Sequence, residues 1–398
     1  MKKTILIFGA FDRVNYGDLL FPLIIVEKLK EVTLETEYDF RFYGIVKSDL
    51  SDFGGVPTRD IAEFNKDCNS IDNAVVIIAG GAVLNANWSD LLSYLFKILT
   101  RILFIYKKIF RGKFTNFLDN IIQWYFKSPS KMPFIILKND FKHIDKIIYN
   151  AVGGPRGKKQ FLKNICLYKK LITADYIAVR DRSVYNLFKE ISSEIKLTPD
   201  SAVLISQMFP KKHLINKINV NKKIFQNNYL FFQINIALGL KNITTVSEQL
   251  TAIHRKHGLE IVLCPIGTAF GHEDQVPLQL IHETLEFPNI LIENPSIWDI
   301  MYLISNSNLY IGSSLHGTIT AMSYEKPYIG IGGLNSKLDA YLNSWGVNDL
   351  NGCASINNIA ERANIALSIS TKDLTENIQK QIELSNNSFI DMYKEIVR

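Results

Sequence analysis

No CxxC pair occurs in this 398-residue sequence, whose four cysteines, Cys68, Cys166, Cys264 and Cys353, lie far apart. That spacing excludes a zinc ribbon and a disulfide scaffold and fits a reducing cytoplasm. Long apolar runs are missing too: none reaches the roughly 18 residues that a spanning helix needs. Neither the GxxxxGK[ST] phosphate loop nor the GxGxxG dinucleotide loop is present, which sets ATP and NAD aside. Apart from His316, the six histidines lie in polar or helical surroundings and form no metal-spaced pair on a convincing element, and no carboxylate cluster suggests a metal. Strong net charge is lacking as well. Lys and Arg number 45 against 39 Asp and Glu, and +6 over this length does not suggest nucleic acid. What remains, 47% hydrophobic and 21% charged, is a globular composition long enough for two domains.

The mild charge is unevenly placed. Between Leu91 and Lys146 stand eleven basic residues and three acidic ones, a local balance of +8, so the rest of the chain carries −2. The same segment holds ten aromatics from Tyr94 to Phe126, and its charges recur every three to six residues through LLSYLFKILTRILFIYKKIF. An apolar body with a basic stripe and aromatics reads as helices lying on an anionic membrane surface through residues 91–127. The alternative is an amphipathic insertion packed on its own domain, about residues 89–131. The start, MKKTILIFGAF, looks like a signal peptide, but Asp12 and Arg13 follow at once and no small-residue cleavage site appears. Thr4–Gly9 is therefore expected as a buried first strand. The protein is expected in the cytoplasm, peripheral at the inner face of the cell membrane.

Short apolar runs alternate with helical patterns almost throughout. Ten strands are expected: Thr4–Gly9, Phe40–Val46, Ala74–Ala79, Lys146–Val152, Tyr176–Val179, Tyr229–Ile234, Glu260–Cys264, Ile290–Ile292, Asn308–Ile311 and Tyr328–Ile331. Apolar at consecutive positions, they suit parallel sheets buried on both faces. Thr245-x-x-Glu248 and Ser296-x-x-Asp299 resemble capping boxes. The alternation predicts an α/β fold of two Rossmann-like domains, residues 1–210 and 225–370, joined near Pro210–Asn228. A helix is expected over 371–398.

Polar clusters follow several strands, where open α/β sheets bind ligands. Asn15-Tyr16-Gly17-Asp18 precedes the helix expected over Leu19–Lys30. Asn15 suits a helix cap or a ligand contact, Gly17 permits close backbone approach, and Asp18 suits a first turn or a site. Gly80-Gly81 after the third strand permits a close-lying anion or sugar, or is a plain tight turn. Gly153-Gly154-Pro155-Arg156-Gly157-Lys158-Lys159 joins flexible backbone to cations. Val179-Arg180-Asp181-Arg182-Ser183 offers two guanidinium forks for a carboxylate or phosphate, or an internal Arg–Asp bridge. Gly312-Ser313-Ser314-Leu315-His316-Gly317 opens a helix whose free N–H groups would face an anion. His316, in that first turn, is a candidate proton carrier.

Taken in order, NYGD, IIAGG, VRDRS, Thr198-Pro199-Asp200 and SSLHG resemble the polysaccharide pyruvyl transferase family from about Thr4 to about Gly333. SLHGTITAMSYEKPYIGI is the strongest match. The resemblance implies a GT-B-like architecture around a cleft, with the C-terminal helix returning to the first domain. It also implies transfer of pyruvate from phosphoenolpyruvate, as a ketal, to a sugar of a bacterial surface polysaccharide or its lipid-linked precursor. No cofactor or metal is implied. His316 would be acid/base and Arg180, or Arg182, with the Ser313–Gly317 turn the anion binder. Asn15 and Asp18 would hold the acceptor or orient the facing loop. Many members carry Arg immediately before Leu-His, where this chain has Ser314. Two other readings are a glycosyltransferase with a nucleotide pocket near Pro265–Thr268 and Glu293, and a non-catalytic glycan-binding member.

Overall fold

Six consecutive apolar residues, Ala74–Ala79, can form a strand only if both faces are covered. In the computed structural model, which describes residues 2–32, 38–95, 115–221, 228–268 and 273–398, all six are buried. They form β3, near the middle of a six-stranded sheet with β1 (Lys3–Phe8), β2 (Tyr38–Tyr43), β4 (Ile144–Val152), β5 (Tyr176–Val179) and β6 (Lys196–Leu197), in the order β2-β1-β3-β4-β5-β6. A five-stranded sheet follows: β7 (Tyr229–Gln233), β8 (Glu260–Leu263), β9 (Asn289–Leu291), β10 (Leu309–Gly312) and β11 (Tyr328–Gly330), in the order β11-β10-β7-β8-β9. Every pairing is parallel.

The helices that frame these sheets include α1 (Tyr16–Val32), α2 (Trp88–Leu95), α3 (Thr115–Tyr125), α4 (Arg182–Lys189), α5 (Ile243–His257), α6 (Ile297–Asn306), α7 (Leu315–Ser323), α8 (Lys337–Trp345) and α9 (Thr371–Val397). The Ser296–Asp299 capping box opens α6 with both reciprocal hydrogen bonds. The Thr245–Glu248 one does not form. Helix α5 already starts at Ile243 behind Asn242, so Thr245 lies inside its first turn.

Helix α1 is apolar nearly all round and is accordingly buried on most sides. It touches α6 and α7 of the second domain and α9. One apolar cluster therefore runs from the α1 face of the first sheet through the whole second domain, and a second fills the other face of the first sheet. Helix α9 leaves the second domain and returns to the first. Ser388 Oγ meets Tyr176 Oη at 2.7 Å, Lys196 Nζ pairs with Asp391 at 2.7 Å, and Lys3 Nζ donates to the Ile396 carbonyl at 2.5 Å.

Helices α2 and α3 lie between β3 and β4, in the basic stretch of the sequence. Most of the segment expected at a membrane, residues 96–114, falls outside the described residues. The join near Pro210–Asn228 is described to residue 221 and holds a short helix, Lys211–Leu214. No described helix is long and apolar enough to cross a membrane.

Candidate active site

Where the strand order of a parallel sheet reverses, the loops on the two sides diverge and open a crevice. In the first sheet this point lies between β1 and β3, in the second between β7 and β10. The carboxyl ends of these four strands and the segments that follow them carry Asn15, Gly80 and Gly81, Gln233, and Ser313 to His316, and they face one another. Asn15 bridges Gly267 across the domains. Tyr16 N donates to the Ile266 carbonyl at 3.3 Å, and Thr268 N to the Val14 carbonyl at 3.4 Å.

Gly17 is glycine because the His316 ring occupies the space of its side chain. A Cβ there would lie 1.6 Å from His316 Nδ1. Phe21 closes the ring edge-on at 5.3 Å between centroids, and His316 keeps 6% of its surface. Its Nε2 stands 3.4 Å from Asp200 Oδ2 as an ion pair, and this buried nitrogen makes no hydrogen bond. Arg180 Nη1 reaches the same carboxylate oxygen at 2.7 Å, both groups being buried. Burial alone would raise the Asp200 pKa, but the charges of His316 and Arg180 and the Ala202 amide outweigh it and hold it at about 2. Asp18, also buried, goes the other way. Desolvation lifts its carboxyl above the ordinary range against the opposing pull of Arg13, His316, Lys337 and Arg180.

Gly153 makes room for Arg180, and Gly81 lies beside it. The Gly153 amide donates to the Gly81 carbonyl at 2.7 Å, and a Cβ on Gly153 would meet Arg180 Nε at 3.0 Å. One on Gly81 would lie 3.8 Å from both the Arg180 guanidinium and Asp18 Oδ1. Gly80 takes the left-handed φ of +132° that turns the chain out of β3.

In front of Arg180 opens a cavity of about 650 Å³ between the domains. The first domain contributes Arg156, Arg180 and Arg182, and the second contributes Lys337 from the start of α8. Two carboxylates line it, and both are engaged. Asp181 caps α4 through the Val184 amide at 2.9 Å, and Asp339 takes the Asn335 and Cys353 amides at 2.9 Å each. Their charge remains, and four cations against these two leave the lining at +2. Lys337 reaches its water, while the surrounding protein first and Arg180 second lower its pKa, with Asp18 and Asp274 opposing.

The turn at Ser313–Gly317 differs from the expected open anion site. Gln233 Oε1 accepts from the Ser313 and Ser314 amides at 3.0 and 2.9 Å, and Ser314 Oγ caps α7 through the Gly317 amide at 3.3 Å. These donors are occupied. Gly317 itself packs on Tyr310 and Ile266. The other end of Gln233 donates to Asp274 Oδ2 at 2.8 Å, which also accepts from the Ile266 and Gly267 amides at 3.1 and 2.9 Å. Asp274 thus ties the loop that bridges Asn15 to the helix that carries His316. Desolvation lifts its pKa to about 7 although the Gly267, Gln233 and Ile266 donors lower it.

So Arg156, Arg180 and Arg182 line the cavity. His316, Asp18, Gly17 and Gly81 cluster behind Arg180, and Asn15 sits at the domain seam. Gly80, Ser313, Ser314 and Gly317 shape the backbone around them. Asp200 stood in the sequence pattern without a role. Lys337, Gln233 and Asp274 were missed. Lys337 had a signal, since Gly332-Gly333 after a strand and Ser336 as a helix cap repeat the logic that exposed Arg180. Among the described residues no three His, Cys, Asp or Glu converge as metal ligands.

A model of the family described as polysaccharide pyruvyl transferase matches residues 15–335, from the Asn15 loop to the edge of the cavity. The chain belongs to that family. Among curated proteins none matches in sequence. In structure, this family member is similar to UDP-GlcNAc 2-epimerase from Methanocaldococcus jannaschii in complex with UDP-GlcNAc and UDP (12% identity, 93% of this chain and 94% of that one, TM-score 0.54). It is also similar to UDP-GlcNAc 2-epimerase from Neisseria meningitidis bound to UDP-GlcNAc (13%, 99% of each chain, TM-score 0.53). At such identities the likeness is one of fold, two Rossmann-like domains in a GT-B-like arrangement.

Proposed function

We propose that the protein transfers pyruvate from phosphoenolpyruvate, as a ketal, to a sugar of a bacterial surface polysaccharide or its lipid-linked precursor. The observation that carries this reading is the cationic cavity. Four cations outnumber the two carboxylates of its lining, and phosphoenolpyruvate needs its carboxylate and phosphate held in one fixed orientation. Lys337 brings to the cavity the charge that Ser314 does not. In the reaction the methylene carbon gains a proton and two sugar hydroxyls form C–O bonds to the adjacent carbon. The bond to phosphate breaks, one hydroxyl proton balances the methyl group, and the other leaves with phosphate. His316 is the acid/base of this cycle, and Asp200 holds Arg180 and places its negative charge 3.4 Å from the His316 Nε2.

A nucleotide-sugar reading would use the cavity of about 530 Å³ lined by Pro265, Thr268 and Glu293. Glu283 and Glu293 are the charged residues among its described lining, so it offers a diphosphate no countercharge. The basic, aromatic segment 91–127 would hold the enzyme on the anionic inner leaflet beside a lipid-linked acceptor. The exposed Phe117 and Ile121 of α3 support this.

The test is phosphate release from phosphoenolpyruvate with a membrane-derived lipid-linked glycan. Release should fall at least 100-fold in His316→Ala. Full release by that variant would remove His316 from the chemistry. A melting shift with UDP-sugars and none with phosphoenolpyruvate would favour the nucleotide-sugar reading. Charge reversal of the basic segment should free the protein from anionic vesicles.

A further inference from the structure

The positive charge of the chain is gathered in two stretches that the fold sets side by side. Beyond the +8 of residues 91–146, ten basic residues and four acidic ones stand between Arg156 and Lys196, a balance of +6. The rest of the chain therefore carries −8. The second stretch forms the helices Lys158–Lys163 and Ile165–Leu171, then β5, α4 and β6. These helices turn Phe161, Tyr168, Val184 and Phe188 onto the apolar cluster that Trp88 of α2 and Ile122 of α3 also join. All of them cover one face of the first sheet, the face turned away from α1 and the second domain.

The outward side of these helices is cationic, and its charge is not neutralised. Lys159, Lys163, Lys169 and Lys189 are exposed and form no ion pair among the described residues. Three of the four acids are taken elsewhere. Lys138 and Lys146 hold Asp175 at 2.7 and 3.8 Å, Asp181 caps α4, and Glu190 pairs with Lys158 at 3.2 Å. Residues 96–114, outside the described part, bring six more cations and no acid, so nothing in them can pair with these lysines. Like charges gathered on one face repel, and a surface of opposite sign relieves them. Leu162 selects among anionic partners. It stands 51% exposed between Lys159 and Lys163. A polyanion in water has nothing to offer this leucine. A bilayer takes it below the headgroups and the lysines among them. The cationic cavity opens at the edge of the same face. Arg156 and Gly157 lead into the helix Lys158–Lys163, and Arg182, Asn186 and Leu187 of α4 line the cavity as well.

We infer that the outward side of these two helices and of α4 docks on an anionic phospholipid bilayer, with Leu162 in the interface and Lys159, Lys163, Lys169 and Lys189 among the headgroups. This surface is distinct from segment 91–127 and covers the same face of the first sheet, so the two act together. The mouth of the cavity then stands at the bilayer, within reach of a sugar carried on a lipid. That orientation rests on the acceptor being lipid-linked, whereas the surface itself rests on its own charge and its leucine.

The full-length protein is pelleted with vesicles of phosphatidylcholine alone or of phosphatidylcholine with phosphatidylglycerol. Wild type should bind the anionic vesicles, and less so as salt rises. A triple variant, Lys159→Glu with Lys163→Glu and Lys169→Glu, should bind them about tenfold more weakly or worse although segment 91–127 is intact. Leu162→Ser should weaken binding about fivefold. All four side chains are exposed, so these variants fold and keep the melting shift that phosphoenolpyruvate gives wild type. Cys166 is exposed between Lys163 and Lys169, and an environment-sensitive fluorophore on it should brighten with the anionic vesicles. Wild-type affinity in the triple variant, equal binding to neutral vesicles, no vesicle binding at all or an unchanged signal from Cys166 overturns the surface. Retained vesicle binding by the triple variant together with lost binding to an acidic polysaccharide also overturns it, and gives the lysines to a polymer. Vesicle binding that the variants weaken, in a protein that releases no phosphate from phosphoenolpyruvate, upholds the surface and overturns the transfer reading. Phosphate release by a wild type whose vesicle binding ignores the substitutions does the reverse.

Discussion

Gly17 and His316 lie almost 300 positions apart in sequence, yet one has no side chain because of where the other puts its ring. Gly17→Ala should cost about 1–3 kcal/mol by overpacking, and activity should fall by more than the lost folded fraction explains. A thermal melt beside an assay at low temperature separates the two effects. Asp274 makes a pH-dependent prediction. Its folded pKa of about 7 lies above the ordinary 3.8, so the folded state holds this proton more tightly than the unfolded chain. The resulting stability is complete below about pH 4 and is lost as pH rises through about 7. Melting temperature should therefore fall between pH 5 and pH 8 more steeply in wild type than in Asp274→Asn, and parallel curves would refute this. The carbonyl oxygen of the same variant can take the place of Oδ2 and accept from Gln233, Ile266 and Gly267, so kcat should stay within a few-fold of wild type, whereas Asp274→Ala, which leaves three donors without an acceptor, should lower it about tenfold. Arg180 and His316 could be read from the sequence because they end or follow apolar strands and bring chemistry of their own. Asp274 and Gln233 could not, because an acid before a helix and an amide at a strand end become connectors only through partners distant in the chain.

At the level of elements, consecutive burial was the legible signal. Ten of the eleven strands among the described residues stand where runs of apolar residues predicted them, within one or two residues at most ends. The exception, β6, has two residues, Lys196 and Leu197, too few for any period. Caps were less legible. Ser296 and Asp299 form their box, whereas Thr245 and Glu248 show the same spacing inside a helix that Asn242 had already opened. A capping motif fixes a helix start only where no earlier residue takes the role. The return of α9 to the first domain rests on contacts that Tyr176→Phe probes. Losing the Ser388 hydrogen bond should cost about 1 kcal/mol in denaturant unfolding. A cost near zero would leave the Lys196–Asp391 pair, the Lys3 hydrogen bond to Ile396 and apolar packing to hold α9.

For the molecule as a whole, the two sheets followed from the βαβ alternation, and the cleft between them from the resemblance to the family. The cationic cavity did not, because its charge is gathered from loops around 156, 180 and 337 rather than from a run of basic residues. If phosphoenolpyruvate occupies it, a hundredfold excess over Kd should raise stability by about 2.7 kcal/mol, readable as a shift in melting temperature. The apolar cluster that passes through α1 into the second domain has a further consequence, one of cooperativity. Two domains with separate cores would melt in two steps, the weaker first. Here the first-turn residues of α1 belong at once to the site, to the seam and to the shared core, so neither sheet can lose its cover alone. Heat capacity should show a single peak, and a ligand seated in the cleft should slow hydrogen exchange in strands of both sheets together.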